Sequence, residues 1–495
     1  MSNGEVRYVD WEIRDFSEGL IDKIDDNLLP ENAAQDCRNF ISRTIGSLKK
    51  RPGQTRLNSS AELGGPVLGL YAYYYDTPVA TRRLVAASNG VVAWWNPDTL
   101  AWVNLKTGQS ITQSPMLETC VNYMVCFDGV DQPWKWNGSI VSNLENAPVD
   151  GRFPVLHKEK LFVVPVTEPS TLRWSDSFQP ESWPGVNYWD VAKGDGDEIT
   201  CLRKHLGELV IFKRRSLHTL RGTNLDDFRL EELDSRLGCV GPFAAAAMGP
   251  HIYFVSNEGL CVFNGMRAIN ISSERIPKLW ARINKKYLHK AAVGVWDGLV
   301  WFALPEGQST RNNLVLVFAP SAEGVLGGKF WPWSEIDASC FQAFDDGAQQ
   351  VFYSGDSRTG FVNQQAVGTA DFGLPIHAYW TGKSFDQGSP EREKKARRVF
   401  VQLSPNTHSD VELQISLDYG VFDPLSLVII MVPAIAVSSS LTLHAANPLL
   451  KEYRFDVRGM WRYITPKLIH NSTDECEVRG IMVPYKMKNK PRIRG

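Results

Sequence analysis

The sequence predicts an all-β protein: a six- or seven-bladed β-propeller with an added C-terminal β-sandwich-like module. Three observations lead there. Short aromatic and branched apolar runs are cut by turn residues, a strand pattern recurs about every 45 residues, and strict alternation replaces that pattern after residue 375.

The first observation is compositional. The 495 residues include 16 Trp, 15 Tyr and 23 Phe, punctuated by 39 Gly and 28 Pro. Aromatic residues fit a pleated, half-buried surface, and Gly and Pro supply the turns between such surfaces. The best helical stretch is Ser273–Lys286, with Ile276, Leu279, Trp280 and Ile283 at helical spacing.

The repeat is clearest between Ala244 and Gly265. Ala244–Met248 is followed by a Gly249-Pro250-His251 turn, then Ile252–Val255, a Ser256–Gly259 turn, and Leu260–Phe263 closed by Asn264-Gly265. Asn-Gly and Glu-Gly stand where a tight hairpin requires positive φ. Related turns at His157, His205, Trp296 and Asp346 precede Leu161–Val164, Leu209–Phe212, Leu299–Phe302 and Val351–Tyr353. From 157 through 205, 249, 296 and 346 the steps are 48, 44, 47 and 50 residues. Two looser copies, Leu84–Trp95 and Tyr123–Trp136, bring the number to seven between about residues 65 and 370. One four-stranded sheet cannot bury both of its faces alone, whereas a closed ring of sheets can.

After residue 375, Val399–Leu403, Val411–Asp418 and Tyr453–Val457 alternate apolar and polar residues, as half-buried antiparallel strands do. The chain therefore divides into an N-terminal arm and first-strand segment (1–64), a propeller (65–374), and a C-terminal platform with a basic tail (375–495). The apolar run Leu425–Val437 is thirteen residues, too short for a bilayer and readable as one or two strands. The polar, acidic start Met1–Asp10 is unlike a secretory signal, so synthesis in the cytoplasm is expected.

A net charge of -2 offers no overall attraction to nucleic acid, since gripping phosphates needs a basic excess. Eight cysteines without a Cys-x-x-Cys pair read as small buried hydrophobes in a reducing compartment. Asp195-Gly196-Asp197-Glu198 invites a calcium loop, but the twelfth position is Leu206 where an EF-hand needs Glu, leaving a turn. The adjacent pairs Asp226-Asp227 and Asp345-Asp346 give no evidence of two carboxylates converging on one bond. Histidine spacing fits no zincin, Gly382-Lys383-Ser384 lacks the first glycine of a Walker loop, and no Gly-x-Ser-x-Gly elbow occurs. The reading is a non-enzyme without catalytic residue, cofactor or metal. Trp94, Trp95, Trp134, Trp136, Trp331 and Trp333 read as sheet packing, with sugar stacking as the other role open to them.

Two basic groups are candidate interaction sites. Lys486, Lys488, Lys490, Arg492 and Arg494 alternate with other residues, so an extended chain projects all five from one side, towards an acidic neighbour or DNA phosphate. Lys49, Lys50 and Arg51 form a second, shorter group, alternatively a solvated turn before Pro52-Gly53.

Three blocks carry a family resemblance. The first runs from Phe16-Ser17-Glu18-Gly19-Leu20 through Pro30-Glu31-Asn32-Ala33 and Asn39-Phe40 to Leu48-Lys49-Lys50-Arg51-Pro52-Gly53. The second is Gly194–Ile199 followed by Leu209–Leu217, and the third Gly238–Gly265. In this order they resemble the tail hub, nozzle, tail tubular or packaged-DNA stabilisation proteins of short-tailed bacteriophages. The resemblance covers about residues 10–370; the remainder matches in general texture only. It implies a structural virion protein of the podovirus tail: a homohexameric ring below the portal and adaptor that retains packaged DNA and forms the channel for its ejection. Its partners would be itself, head-to-tail connector proteins, tail fibre or needle proteins, and genomic DNA passing without sequence-specific binding. Two rival readings are a carbohydrate- or receptor-binding propeller adhesin and a kelch- or WD-like scaffold, the latter disfavoured by the lack of a regular Gly-Gly or Trp-Asp signature.

Overall fold

The computed structural model describes residues 8–75, 81–111, 113–321, 324–396, 398–404, 411–419, 428–430, 451–456 and 460–488. It is all-β, 53% strand and 3% helix, arranged in many small sheets. Seven of these are four-stranded antiparallel sheets, and two larger sheets accompany them.

The seven small sheets begin with Val67–Tyr75, Met116–Cys120, Gly151–His157, Ile199–His205, Ala245–Met248, Ala292–Trp296 and Ala338–Asp345. In the first six, four consecutive strands pair in chain order. The first strand of each sheet packs against the first strand of the next, and that of the seventh returns to Val67–Tyr75. The seventh sheet takes its outer strand from far upstream: Gln54–Arg56 pairs with Val362–Gln365, Gln54 opposite Gln365. These two glutamines are buried and bonded to each other at 2.9 Å, with Gln365 also donating to Ser354 Oγ and Gln54 to the Glu335 carbonyl. The first and last parts of the seven-sheet set are thereby joined non-covalently.

Alternation along each strand decides which neighbour a side chain meets. In the first sheet Leu84, Ala86, Ala93 and Trp95 join a cluster with Cys340, Phe344 and Val351 of the seventh. The interleaved Val85, Ala87 and Val92 join Met124, Trp134 and Trp136 of the second. Both faces are therefore apolar, which explains runs such as Leu161–Val164 and Leu209–Phe212, where every residue is buried.

The two larger sheets mix both ends of the chain. One runs Gly19–Leu20, Ala33–Arg38, Ile376–Gly382, Ile464–Ser472, Val411–Leu417, Val428–Ile430. The other follows the path Lys451–Asp456, Arg398–Leu403, Glu477–Met487, Leu48–Lys50, Phe40–Ile41, with Val9–Ile13 and Lys394–Ala396 also paired to Glu477–Met487. The division expected at 64 thus does not follow the pairing. Residues 1–64 are divided between the C-terminal strands and the seventh small sheet, because edge strands on both sides need backbone partners.

Two further expectations change. Ser273–Lys286 holds only the five-residue helix Pro277–Ala281, followed by a 3-10 turn Lys285–Lys290. Asn284 between them is extended and caps the second piece through its side chain, so no continuous helix can form. Of the apolar run 425–437, only the strand Val428–Ile430 lies within the described residues. No helix among the described residues is long and apolar enough to cross a membrane.

Candidate functional site

The motif residues of the N-terminal segment converge on one joint. Asn39, in the left-handed region at φ 58, donates through Nδ2 to Ser334 Oγ (2.9 Å) and the His377 carbonyl (2.8 Å). Its Oδ1 accepts from Arg51 Nε at 2.9 Å and the Ser334 amide at 2.9 Å. Arg51 is 1% exposed. Its remaining donors reach the carbonyls of Pro52 and Ser334, both at 3.0 Å, and the two carboxylate oxygens of Asp371. Every N–H of the guanidinium has an acceptor, which is what makes burying it tolerable. Gly53 is required beside it, since a Cβ there would stand 2.0 Å from the Ala370 carbonyl oxygen. Gly19, at φ +69, likewise abuts the Phe330 carbonyl, which a Cβ would approach to 2.8 Å.

This corrects the reading of Lys49–Arg51 as an exposed basic group or solvated turn. Leu48–Lys50 is a strand, and Lys50 is buried with its Nζ on the carbonyls of Ser472 (2.8 Å) and Asp474. Burial lowers the Lys50 ammonium to about 8. Lys49 remains half-exposed and lies 3.3 Å from Glu477. At the C-terminus Lys486 sits on the outward face of Glu477–Met487, alternating with buried Tyr485 and Val483. Lys488 lies 3.8 Å from Glu393. Lys490, Arg492 and Arg494 fall outside the described residues.

The second motif block closes on itself in the same manner. Lys213, fully buried, places Nζ 2.7 and 2.6 Å from the two Asp195 oxygens. Arg214 pairs with Glu198, and Asp197 Oδ2 accepts the Arg215 amide at 2.9 Å. The acids of the apparent calcium loop are thus occupied by cations and turn amides. Asp227 and Asp346 each accept two backbone amides of their own turns at 2.8 Å. Among the described residues no three His, Cys, Asp or Glu side chains group as metal ligands. All eight cysteines are buried free thiols. Trp134, Trp136, Trp331 and Trp333 are buried in sheet packing, at 2% exposure or less.

A different region leaves polar atoms without partners. Residues at or just before the first strands of six of the seven small sheets line a cavity of about 500 Å³. Asp128, 5% exposed, uses Oδ1 to accept the amides of Val130 (2.9 Å) and Asp131 (2.8 Å), and its carboxylate lies against that of Asp131, whose acid is raised by burial and by Asp128. Arg152 Nε has no acceptor, and burial pulls its guanidinium below its ordinary range against the opposing charges of Glu198 and Asp150. Asn312, 1% exposed, donates to the carbonyls of Lys290 and Ala338 at 2.8 Å, leaving Oδ1 unpartnered. Ser357 Oγ is also unpartnered. Lys290 and Arg311 add positive charge, and Phe153, Phe243 and Met116 supply apolar wall. Next to it, sharing Met116 and Phe243, a cavity of about 320 Å³ takes lining residues from all seven first strands, from Tyr71 to Gln342. There the Glu118 carboxyl, raised by burial and held back by Lys204 at 3.1 Å, accepts also from the Leu156 amide. The sequence marks Asp128 only as a turn residue and proposes none of the cavity-lining residues as a site, since their separations carry no motif.

No family model matches the chain, and no curated protein matches it. Among solved structures it is similar to the computationally designed Ika8 protein, with 13% identity and a TM-score of 0.37 over 64% of this chain and 100% of that one. It is also similar to the extracellular domain of BT4673 from B. thetaiotaomicron, with 10% identity and a TM-score of 0.42. That match covers 63% of this chain and 39% of the other. Likenesses this distant do not bear on function.

Proposed function

We propose that the seven small sheets are the blades of a β-propeller, closed by Gln54–Arg56, and that the two larger sheets form a sandwich-like platform. On this reading the chain is a structural subunit of a short-tailed phage tail hub or nozzle. It assembles as a ring beneath the portal and adaptor, retains packaged DNA, and acts through shape instead of catalysis.

The observation that carries the reading is the use made of the resembling motifs. Gly19, Asn39, Arg51 and Gly53 are consumed in fastening the N-terminal segment to Gly324–Ser334 and the C-terminal strands. Lys213 and Asp195 are consumed in holding a turn. Residues spent on internal joints suit a component that must bear load. On this reading the DNA path lies between subunits around the ring axis.

Mixing the purified full-length chain with portal–adaptor complexes and measuring mass by native mass spectrometry tests this. The expected product is a complex holding several copies of the chain. Monomers that bind neither each other nor the portal–adaptor complex overturn it.

A further inference from the structure

We propose that Cys201 and Cys239 are an oxidisable pair, closing to a disulfide that ties the first strand of the fourth small sheet to the segment leading into the fifth. Both thiols are buried, at 1% and 0% exposure. Their sulfurs rest against successive carbonyls of one short segment, Cys239 Sγ on Gly241 at 3.4 Å and Cys201 Sγ on Pro242 at 3.6 Å. There the two thiols are within hydrogen-bonding reach of each other.

The backbone holds them in place. The Cys239 amide donates to the Lys213 carbonyl at 3.0 Å, and the Cys239 carbonyl accepts from Thr200 Oγ1 at 2.6 Å. Lys213 stands opposite Ile199, in the strand that carries Cys201. Cys239 is therefore tied through both its amide and its carbonyl to the sheet of its partner.

Burial raises both thiols, but for Cys201 the Cys239 hydrogen bond and the Arg203 guanidinium outweigh it, so Cys201 ends below its ordinary value and Cys239 above. Cys201 is accordingly the first nucleophile. Its thiolate attacks one sulfur of a small disulfide oxidant such as oxidised glutathione, and one glutathione thiolate leaves. The Cys239 thiolate then attacks the Cys201 sulfur and expels the second. The two thiol protons end on the two glutathiones, and two electrons pass to the oxidant. Such an oxidant reaches buried thiols before the sheets close, or through local opening. The pair lies within one subunit, so its chemistry is independent of ring assembly.

Refolding the full reduced chain from urea into graded mixtures of reduced and oxidised glutathione, then alkylating it and mapping its peptides without reductant, tests the pair. The expected product has Cys201 linked to Cys239 and the other six cysteines alkylated. The equilibrium constant for closing the bond should be at least about tenfold larger after refolding than in urea, where nothing holds the two thiols together. The linked protein should melt at a higher temperature than the reduced one, because closing the loop from 201 to 239 restricts the unfolded chain. Cys201 and Cys239 alkylated in every mixture, either one linked to a different cysteine, or a linked protein that does not melt above the reduced one would each overturn the proposal.

Discussion

Arg51 and Arg152 are both drawn out of water, and they end in opposite states. Arg51 is 1% exposed, with an acceptor for each of its donors from Asn39, Pro52, Ser334 and Asp371. Arg152 is half-buried beside an open cavity, with Nε unpartnered and its ionised form disfavoured by burial. A satisfied buried charge is a fastener, because removing one partner strands the other. A half-buried one whose Nε has no acceptor is held at a cost to the fold and fastens nothing. The contrast separates a charge that joins distant segments from one that joins none.

The contrast breaks most visibly at Arg51. Arg51→Met should destabilise the protein by about 3–5 kcal/mol, measured by urea unfolding, since it leaves Asp371 buried and unpaired. A change below about 1 kcal/mol would mean that the joint carries no load. His157 extends the unsatisfied class to a titrating group. It is buried with Nε2 unpartnered, and burial lowers its imidazole from 6.5 to about 4. The unfolded chain therefore binds the proton first. Stability should be full above pH 6.5 and fall by on the order of 2–3 kcal/mol as pH drops towards 4. His157→Leu should reduce the fall in melting temperature across that window, with His470, likewise lowered by burial, supplying part of the remainder, and an unchanged slope would contradict the assignment. Lys213→Ala should cost about 1–3 kcal/mol, less than Arg51→Met, because Asp195 is 36% exposed and can return to water. At Arg152 the sign sharpens the comparison. Arg152→Gln should change stability by less than about 1 kcal/mol in the same urea titration, whereas a loss matching that of Arg51→Met would make it a structural arginine too.

Much of the repeated architecture was legible because sheets buried on both faces leave fully apolar runs between turn residues, as at Ile252–Val255. The outer strand of the seventh sheet was not. Gln54–Arg56 is short and polar, and its pairing with Val362–Gln365 spans almost the whole seven-sheet set. Arg51 was misread for a related reason. Three adjacent cations look solvated, and the acid that permits burial stands 320 residues away. The cavity was illegible in principle, since Asp128, Arg152, Asn312 and Ser357 share a space only through the cyclic packing of separate sheets. Two of the charged groups that the sequence made conspicuous, at Arg51 and at Asp195 with Lys213, are joints.

Cryo-electron microscopy of the purified chain assembled with portal and adaptor bears most directly on the account. It should show a closed ring in which each subunit presents seven sheets about its own narrow axis, with a duplex-wide channel between subunits. Particles in which the chain stays single, or in which DNA can pass only through a subunit's own axis, would contradict it.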